Sequence, residues 1–305
     1  MLSIVVVNWN GGELFRRCIE SVRRHPPSVA YEIIVVDNAS TDGSLQWAHG
    51  ARVIANSENL GFARANNQAF AASGAPFVFL LNADAEVTEG ALDRLMATLR
   101  EHPRAAICAP RLVNPDGSLQ PSVWPNPLTP LHILVSGLGL WRLLPRGARG
   151  RLLFGDQWSY DALAEVPMAG GAALMVRREA IDAVGGFAES FAIYGEDDEW
   201  CLRMRGAGWT VLFDPRATVM HHGASFSRMR WSDDLTKLRH QTETYLQIQR
   251  MTLGAAHRLA NLASLSLVAA LRSPWRRDAR LRLRLYLRDL TSRGARRAAR
   301  VPDRR

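Results

Sequence analysis

The sequence predicts an α/β protein: a mostly parallel sheet flanked by helices, followed by a helical C-terminal extension. Three observations predict it. Residues 2–7 (LSIVVV), 32–36 (EIIVV) and 77–81 (FVFLL) are near-continuous aliphatic runs without polar alternation, the pattern of parallel strands covered on both faces. Helical stretches separate the runs, which gives strand, helix, strand in alternation. Each run ends in polar or Gly-rich residues, and ligands of such sheets bind beyond the carboxyl ends of the strands. With 305 residues, 47% hydrophobic and 22% charged, the chain has the composition to bury a core.

Taken in order, the first run leads into a helix over 12–24, the second into a turn-rich loop, and helices follow at 61–73 and 90–101, the last stopping before Pro103. Between Pro110 and Pro167 stand eight prolines with little periodicity; a hairpin is expected at Asn114-Pro115-Asp116-Gly117 and an irregular insert after it. A strand is expected at 172–177, a helix at 195–207 (Trp200, Cys201, Met204 on one face) and a strand at 209–213. Beyond Arg230 the chain reads as helical, although LRLRLYLRDL (281–290) fits either a strand or a helical face. No internal repeat is present.

Cys18, Cys108 and Cys201 lie 90 and 93 residues apart, which excludes a disulfide framework and a cysteine zinc site. The net charge of +9 is unevenly placed. Residues 272–305 hold 13 arginines against Asp278, Asp289 and Asp303, a net +10, so the first 271 residues carry −1. A near-neutral, acid-lined main domain argues against nucleic acid as the partner. No run reaches the roughly 18 to 20 apolar residues of a spanning helix; 131–140 is broken by His132, and 259–271 lies between Arg258 and Arg272. The start, MLSIVVVNWN, lacks a basic n-region and reads as a buried strand, which predicts a cytoplasmic protein.

Four polar groups stand at the strand ends. Asp37, in VVDNASTDGS, is a carboxylate just past a buried strand, suited to a base or ribose, or else capping its own turn. Asn82-Ala83-Asp84 places two oxygen-bearing side chains at i and i+2, which would share a divalent ion carrying a diphosphate, or else begin a helix. Glu196-Asp197-Asp198-Glu199 opens a helix behind Phe187, Phe191, Ile193 and Tyr194; one of these acids, once desolvated, would serve as a general base. His221-His222 follows 217–220, and alternation along a strand lets only one of the two face a metal.

Together IVVVNWNG, VVDNASTDGS, NLGFARANNQA, FLLNADAEV, GGFAESFAIYGEDDEWCLRMRGAGW and VMHHGASFSR, in that order, resemble the inverting GT-A glycosyltransferases of family 2, within them the rhamnosyltransferase-like branch. The resemblance runs from Leu2 to about Arg228. It implies a catalytic domain over 1–229, with a nucleotide-sugar-binding half (1–110) and an acceptor-binding half (111–229), and an Arg-rich extension over 230–305. It implies a nucleotide-diphosphate sugar donor, dTDP-rhamnose first, with Asn8, Asp37 and Asn38 near base and ribose and Arg64 near the diphosphate. Asn82 and Asp84 stand at the family's D-x-D position, so Asp84 would hold Mg2+ or Mn2+; an amide replaces the first acid, which makes a contribution from His221 more plausible. Glu196-Asp197 matches the E-D motif, whose aspartate is the base. The Q-x-x-R-W element of processive members is absent at Ser227-Arg228-Met229-Arg230-Trp231, so one sugar or a few would be added.

The acceptor implied is a glycan or polyprenyl-linked glycan. Residues 259–305 would suit contact with an anionic membrane surface, on the inner face of the plasma membrane, or else form a packed helix and a solvated basic end; a homodimer is also admitted. The competing functions are a sugar-phosphate nucleotidyltransferase, which lacks a Gly-rich phosphate loop here, and a nucleic-acid-binding protein, which leaves the acids unexplained.

Overall fold

A computed structural model describes residues 1–124, 129–153, 158–191, 194–223, 233–274 and 276–291. In chain order its elements are β1 (Leu2–Asn8), α1 (Gly12–Arg24), β2 (Tyr31–Asn38), β3 (Arg52–Asn56), α2 (Phe62–Ala72), β4 (Phe77–Asn82), β5 (Ala85–Val87), α3 (Ala91–Glu101), β6 (Ala105–Val113), β7 (Leu119–Gln120), β8 (Val123–Trp124), α4 (Pro130–Gly137), α5 (Arg146–Leu153), β9 (Ala164–Glu165), β10 (Met168–Ala169), β11 (Ala173–Arg177), α6 (Arg178–Val184), α7 (Glu196–Gly206), β12 (Thr210–His221), α8 (Asp234–Thr252), α9 (Ala255–Arg272) and α10 (Arg277–Thr291).

The chain divides into two units: Met1–Trp124 with Ser159–Ser225, and Pro125–Trp158 with Phe226–Arg305. Residues 125–158, placed by sequence in the acceptor half, thus group with the C-terminal helices.

The first unit is built on one large sheet in the order β3-β2-β1-β4-β11-β6-β12-β5, with β7 added to β6 and β9 to β12. The aliphatic runs form β1, β2 and β4, which pair in parallel with β3 at the edge. Their side chains go to both faces: Ile4, Val6 and Phe79 lie in one core with Phe15, Ile19 and Leu95 from the helices. Helix α1 buries Phe15, Cys18, Ile19 and Val22, spaced 3, 1 and 3 residues apart, with Glu13 in its first turn and Arg23 and Arg24 in its last, complementing the helix dipole. All three cysteines are buried and free.

Three features go beyond what the sequence specified. Strand β11 enters antiparallel between β4 and β6, Ala173 facing Leu81 and Met175 facing Cys108. The strand expected at 209–213 runs on as β12 to His221, irregular between Asp214 and Thr218, where buried Asp214 takes three hydrogen bonds from Arg216 (N, Nε and Nη2) and one from Thr98. The expected irregular insert contains α4 and α5; Thr129 caps α4, its Oγ1 accepting from His132 N at 3.3 Å, with Pro130 in the first turn.

In the second unit α9 packs on α4 and α10, and α8 on α10, around Leu246, Leu262, Ala269 and Tyr286. LRLRLYLRDL is helical, within α10. Among the described residues no helix is long and apolar enough to cross a membrane. Ile193, the segment 227–231 and the tail from 292 on, each used in the sequence reading, lie outside the described residues.

Candidate active site

Register brings the predicted donor-side residues together. Asn8 pairs with Asp37 across β1 and β2, and Val7 with Asn82 across β1 and β4, so Asn8, Asp37 and Asn82 close three neighbouring strands at the same end. Asn8 is fully buried, and its Nδ2 donates to Asp37 Oδ1 (2.7 Å), Ser44 Oγ (2.9 Å) and Ser40 Oγ (3.0 Å), while its Oδ1 accepts from Gly11 N. Its Nδ2 is therefore spent on the Asp37 loop and its Oδ1 on the loop after β1. Asp37 also accepts from Ser40 Oγ (2.7 Å) and Ser40 N (3.0 Å), so it does cap its own turn. Asn38 is buried, its Oδ1 accepting from Asn56 Nδ2 at 2.9 Å. Asn10 (φ 51°) and Ala39 (φ 59°) hold left-handed backbone in the two loops beside it, and Asn10 Oδ1 accepts from Thr41 N at 2.8 Å, tying the loops together. Two non-glycine residues held in that region are strain of the kind found at ligand sites.

Arg64, on α2, pairs with Glu189 at 3.1 Å and keeps its side chain about half exposed (54%). Glu189 also accepts from Asn67 Nδ2 at 3.0 Å. The guanidinium is thus at the surface, held by one exchangeable carboxylate.

The third group forms where β5 meets β12. Antiparallel pairing sets His221 against Ala85, and His222 N donates to Asp84 O at 2.9 Å. Alternation then separates the two histidines: His221 Nε2 lies 3.2 Å from Asp84 Oδ1, and His222 Nε2 lies 2.8 Å from Glu86 Oε1. Asn82 Nδ2 is 3.5 Å from His221 Nε2. Sequence reasoning missed Gln120. Its amide nitrogen donates to Asn114 Oδ1 (3.0 Å) and His221 O (3.5 Å), so its oxygen is the atom 2.7 Å from His221 Nδ1. That bond puts the neutral ring's proton on Nδ1 and leaves the Nε2 lone pair facing the Asp84 carboxylate. Two facing acceptors need a proton or a cation between them. Among the described residues no set of three or more His, Cys, Asp or Glu side chains could hold a metal ion; a hard divalent ion commonly takes one or two protein ligands and fills the rest from phosphate and water.

The fourth group is the start of α7, preceded by Tyr194 (φ 63°) and Gly195 (φ 96°), both left-handed. Trp200 anchors the helix, its Nε1 donating to Gly185 O at 2.9 Å and its ring packing 4.5 Å from Phe187 and 5.6 Å from Phe70. Glu199 is buried in a two-pronged pair with Arg203 (2.9 and 2.8 Å). The other three acids differ in their partners. Asp197 Oδ2 accepts from Gly171 N (2.8 Å) and its Oδ1 from Asp198 N (2.9 Å). Glu196 Oε2 and Asp198 Oδ1 are buried without a partner. Burial, then the Asp197 charge, pushes the Glu196 carboxyl up to about 8, and burial, then Asp197 and Glu196, raises Asp198 well above the usual range. Burial raises Asp197 too, but four backbone amides oppose it. Of the three, Asp197 accepts the most backbone amides, which favours the cluster's negative charge there.

Comparison with known proteins gives a consistent answer. The sequence pattern of Glycosyl transferase family 2 matches residues 3–155. The chain is 30% identical to an N-acetylglucosaminyl-diphospho-decaprenol L-rhamnosyltransferase of Mycobacterium tuberculosis, over 93% of this chain and 97% of that one. Two solved structures share the fold: a mannosyltransferase of Pyrobaculum calidifontis in complex with GDP-Man and Mn2+ (TM-score 0.56, 17% identity, 97% of this chain and 82% of that one) and residues 1–349 of S. aureus TarS in complex with UDP-GlcNAc (TM-score 0.59, 14% identity, 94% and 80%).

Proposed function

The chain belongs to glycosyl transferase family 2, and from that membership we propose that this glycosyltransferase moves rhamnose from dTDP-rhamnose to a hydroxyl of a polyprenyl-linked glycan, with inversion. The observation that carries the mechanism is Asp197: a partly buried carboxyl group at the start of α7, oriented by the Gly171 amide at 2.8 Å and the Asp198 amide at 2.9 Å. The name of the mycobacterial relative supports the sugar and the lipid-linked acceptor.

The roles follow from the contacts. The Asn8 amide and Ser40 hold Asp37 at the end of β2, where a nucleoside would be received. Arg64 would leave Glu189 for the donor diphosphate, a stronger and more charged partner. Asp84 and His221, with the tautomer set by Gln120, would hold Mg2+ or Mn2+; when bound, that ion supplies positive charge against the departing diphosphate. On the acceptor side Asp197 takes the proton of the attacking hydroxyl as its oxygen bonds to the anomeric carbon and the bond to the diphosphate breaks. One in-line displacement inverts the centre. The protonated Glu196 and Asp198 keep competing negative charge away from the attacking oxygen. Peripheral contact of residues 259–305 with the inner face of the plasma membrane belongs to the same reading, because a lipid-linked acceptor is confined there.

The test is transfer to a polyprenyl-diphosphate-linked N-acetylglucosamine with dTDP-rhamnose, UDP-hexoses and GDP-mannose offered separately with Mn2+. Turnover with dTDP-rhamnose that is lost on chelation and lowered in His221→Ala is expected; turnover unchanged by chelation contradicts the metal site, and preference for another donor contradicts the sugar.

A further inference from the structure

Helix α9 carries two apolar faces where a surface helix needs one. Asn261, Leu262, Ser264 and Ala269 are buried. On the other side Leu259 (59% exposed), Ala263, Leu267 (50%), Ala270 and Leu271 (52%) point outward at intervals of 4, 4, 3 and 1 residues. No charged side chain interrupts the helix between Arg258 and Arg272. The stripe from Leu259 to Leu271 is about 18 Å long at 1.5 Å per residue. Among the described residues, every leucine that is exposed lies in this unit, Leu131 (70%) and Leu143 (83%) among them. Such an area marks an interaction surface.

Charge identifies the occupant. Directly after the stripe Arg272, Arg276, Arg277, Arg280, Arg282, Arg284 and Arg288 are all exposed. Against them stand Asp278, Asp289 and Glu243, paired with Arg276, with Arg250, and with Arg288 and Arg239, respectively. A second copy docked on the stripe would bring the same arginines and like-charge repulsion; a bilayer of anionic lipid brings the opposite charge together with an apolar layer. The 18-residue helix cannot span that layer, so it must lie along it.

We propose that the outward face of α9 is a docking surface for anionic phospholipid, the helix lying in the interfacial plane with its leucines below the phosphates and the arginines of α10 among them. This deepens the peripheral-membrane reading above and is independent of the chemistry assigned to Asp197.

The experiment is co-sedimentation of the full chain with phosphatidylcholine vesicles with and without phosphatidylglycerol, alongside light scattering. The expected result is binding to the anionic vesicles, weakened by salt, tenfold or more weaker in Leu267→Asp/Leu271→Asp, and roughly fivefold weaker for each exposed arginine removed, the equivalent of ~1 kcal/mol per charge. Thermal unfolding and transfer to a water-soluble acceptor should be unchanged in the leucine variant, which separates lost docking from lost folding. Absence of vesicle binding by the wild-type chain, or undiminished binding by the leucine variant, would overturn the proposal. So would a wild-type dimer that the leucine substitutions convert to a monomer, which would assign the stripe to a second copy. Failure of transfer by a chain that binds vesicles normally would instead count against the function proposed for the site.

Discussion

Three adjacent carboxyl groups at the start of α7 share a chemical type and differ in what surrounds them. Asp197 receives the Gly171 amide, whereas Glu196 and Asp198 each bury an oxygen that nothing satisfies. A consequence for stability follows from Glu196, whose carboxyl rises from 4.5 in the unfolded chain to about 8. Between those values the folded state holds a proton that the unfolded state has released, so stability falls as pH rises; the contribution is intact below 4.5 and lost through about 8. Glu196→Gln removes the titration. Its melting temperature should match or trail the wild type in acid and exceed it at about pH 9, with a shallower slope between; parallel melting curves across that range would contradict the burial of this acid in its charged form. At this scale the Glu196-Asp197 pair, Asp84 and the opposed histidines were legible, because local alternation and motif order set them. Gly171 and Gln120 were not. Each acts from a distant segment, Gly171 through a backbone amide and Gln120 through an ordinary side chain, and neither carries a local signal.

At the scale of elements, the aliphatic runs revealed β1, β2 and β4, since full burial on both faces demands continuous apolar sequence. The same logic hid β3, an edge strand whose Val53 is 40% exposed. It also could not orient β11, because burial fixes which residues are apolar and leaves strand direction to the connections. The Thr129-Pro130 start of α4 was a readable cap, masked by the prolines around it. Helices α4 and α9 meet so closely that a Cβ on Gly137 would stand 2.6 Å from Val268 Cγ1. Gly137→Ala should therefore destabilise the chain by about 1–3 kcal/mol through overpacking, outweighing a helix-propensity gain of at most about 1 kcal/mol. In a Val268→Ala background the same substitution should become neutral or stabilising. Chemical unfolding of the four variants in a double-mutant cycle checks this, and additive effects would show that the two side chains do not meet.

At the scale of the molecule, the basic segment read from the sequence, residues 272–305, falls within the second structural unit. The unit built on the large sheet holds the strand-end polar residues and the α7 acids; the second unit holds the exposed leucines and the described arginines of the tail. The sequence reading ended the catalytic domain at 229; the structural division falls between Ser225 and Phe226 and puts residues 125–158 in the second unit, a long-range association that no local composition marks. Family membership and fold make the chain a glycosyltransferase; the proposal that Asp197 is the base of an inverting transfer is tested most directly by the anomeric configuration of the product. With dTDP-rhamnose, Mn2+ and acceptor, NMR of the isolated product should show inversion at the transferred carbon, while Asp197→Asn should bind donor normally and turn over about 10²–10⁴-fold more slowly. Retained configuration, or near-normal turnover by Asp197→Asn, would contradict it.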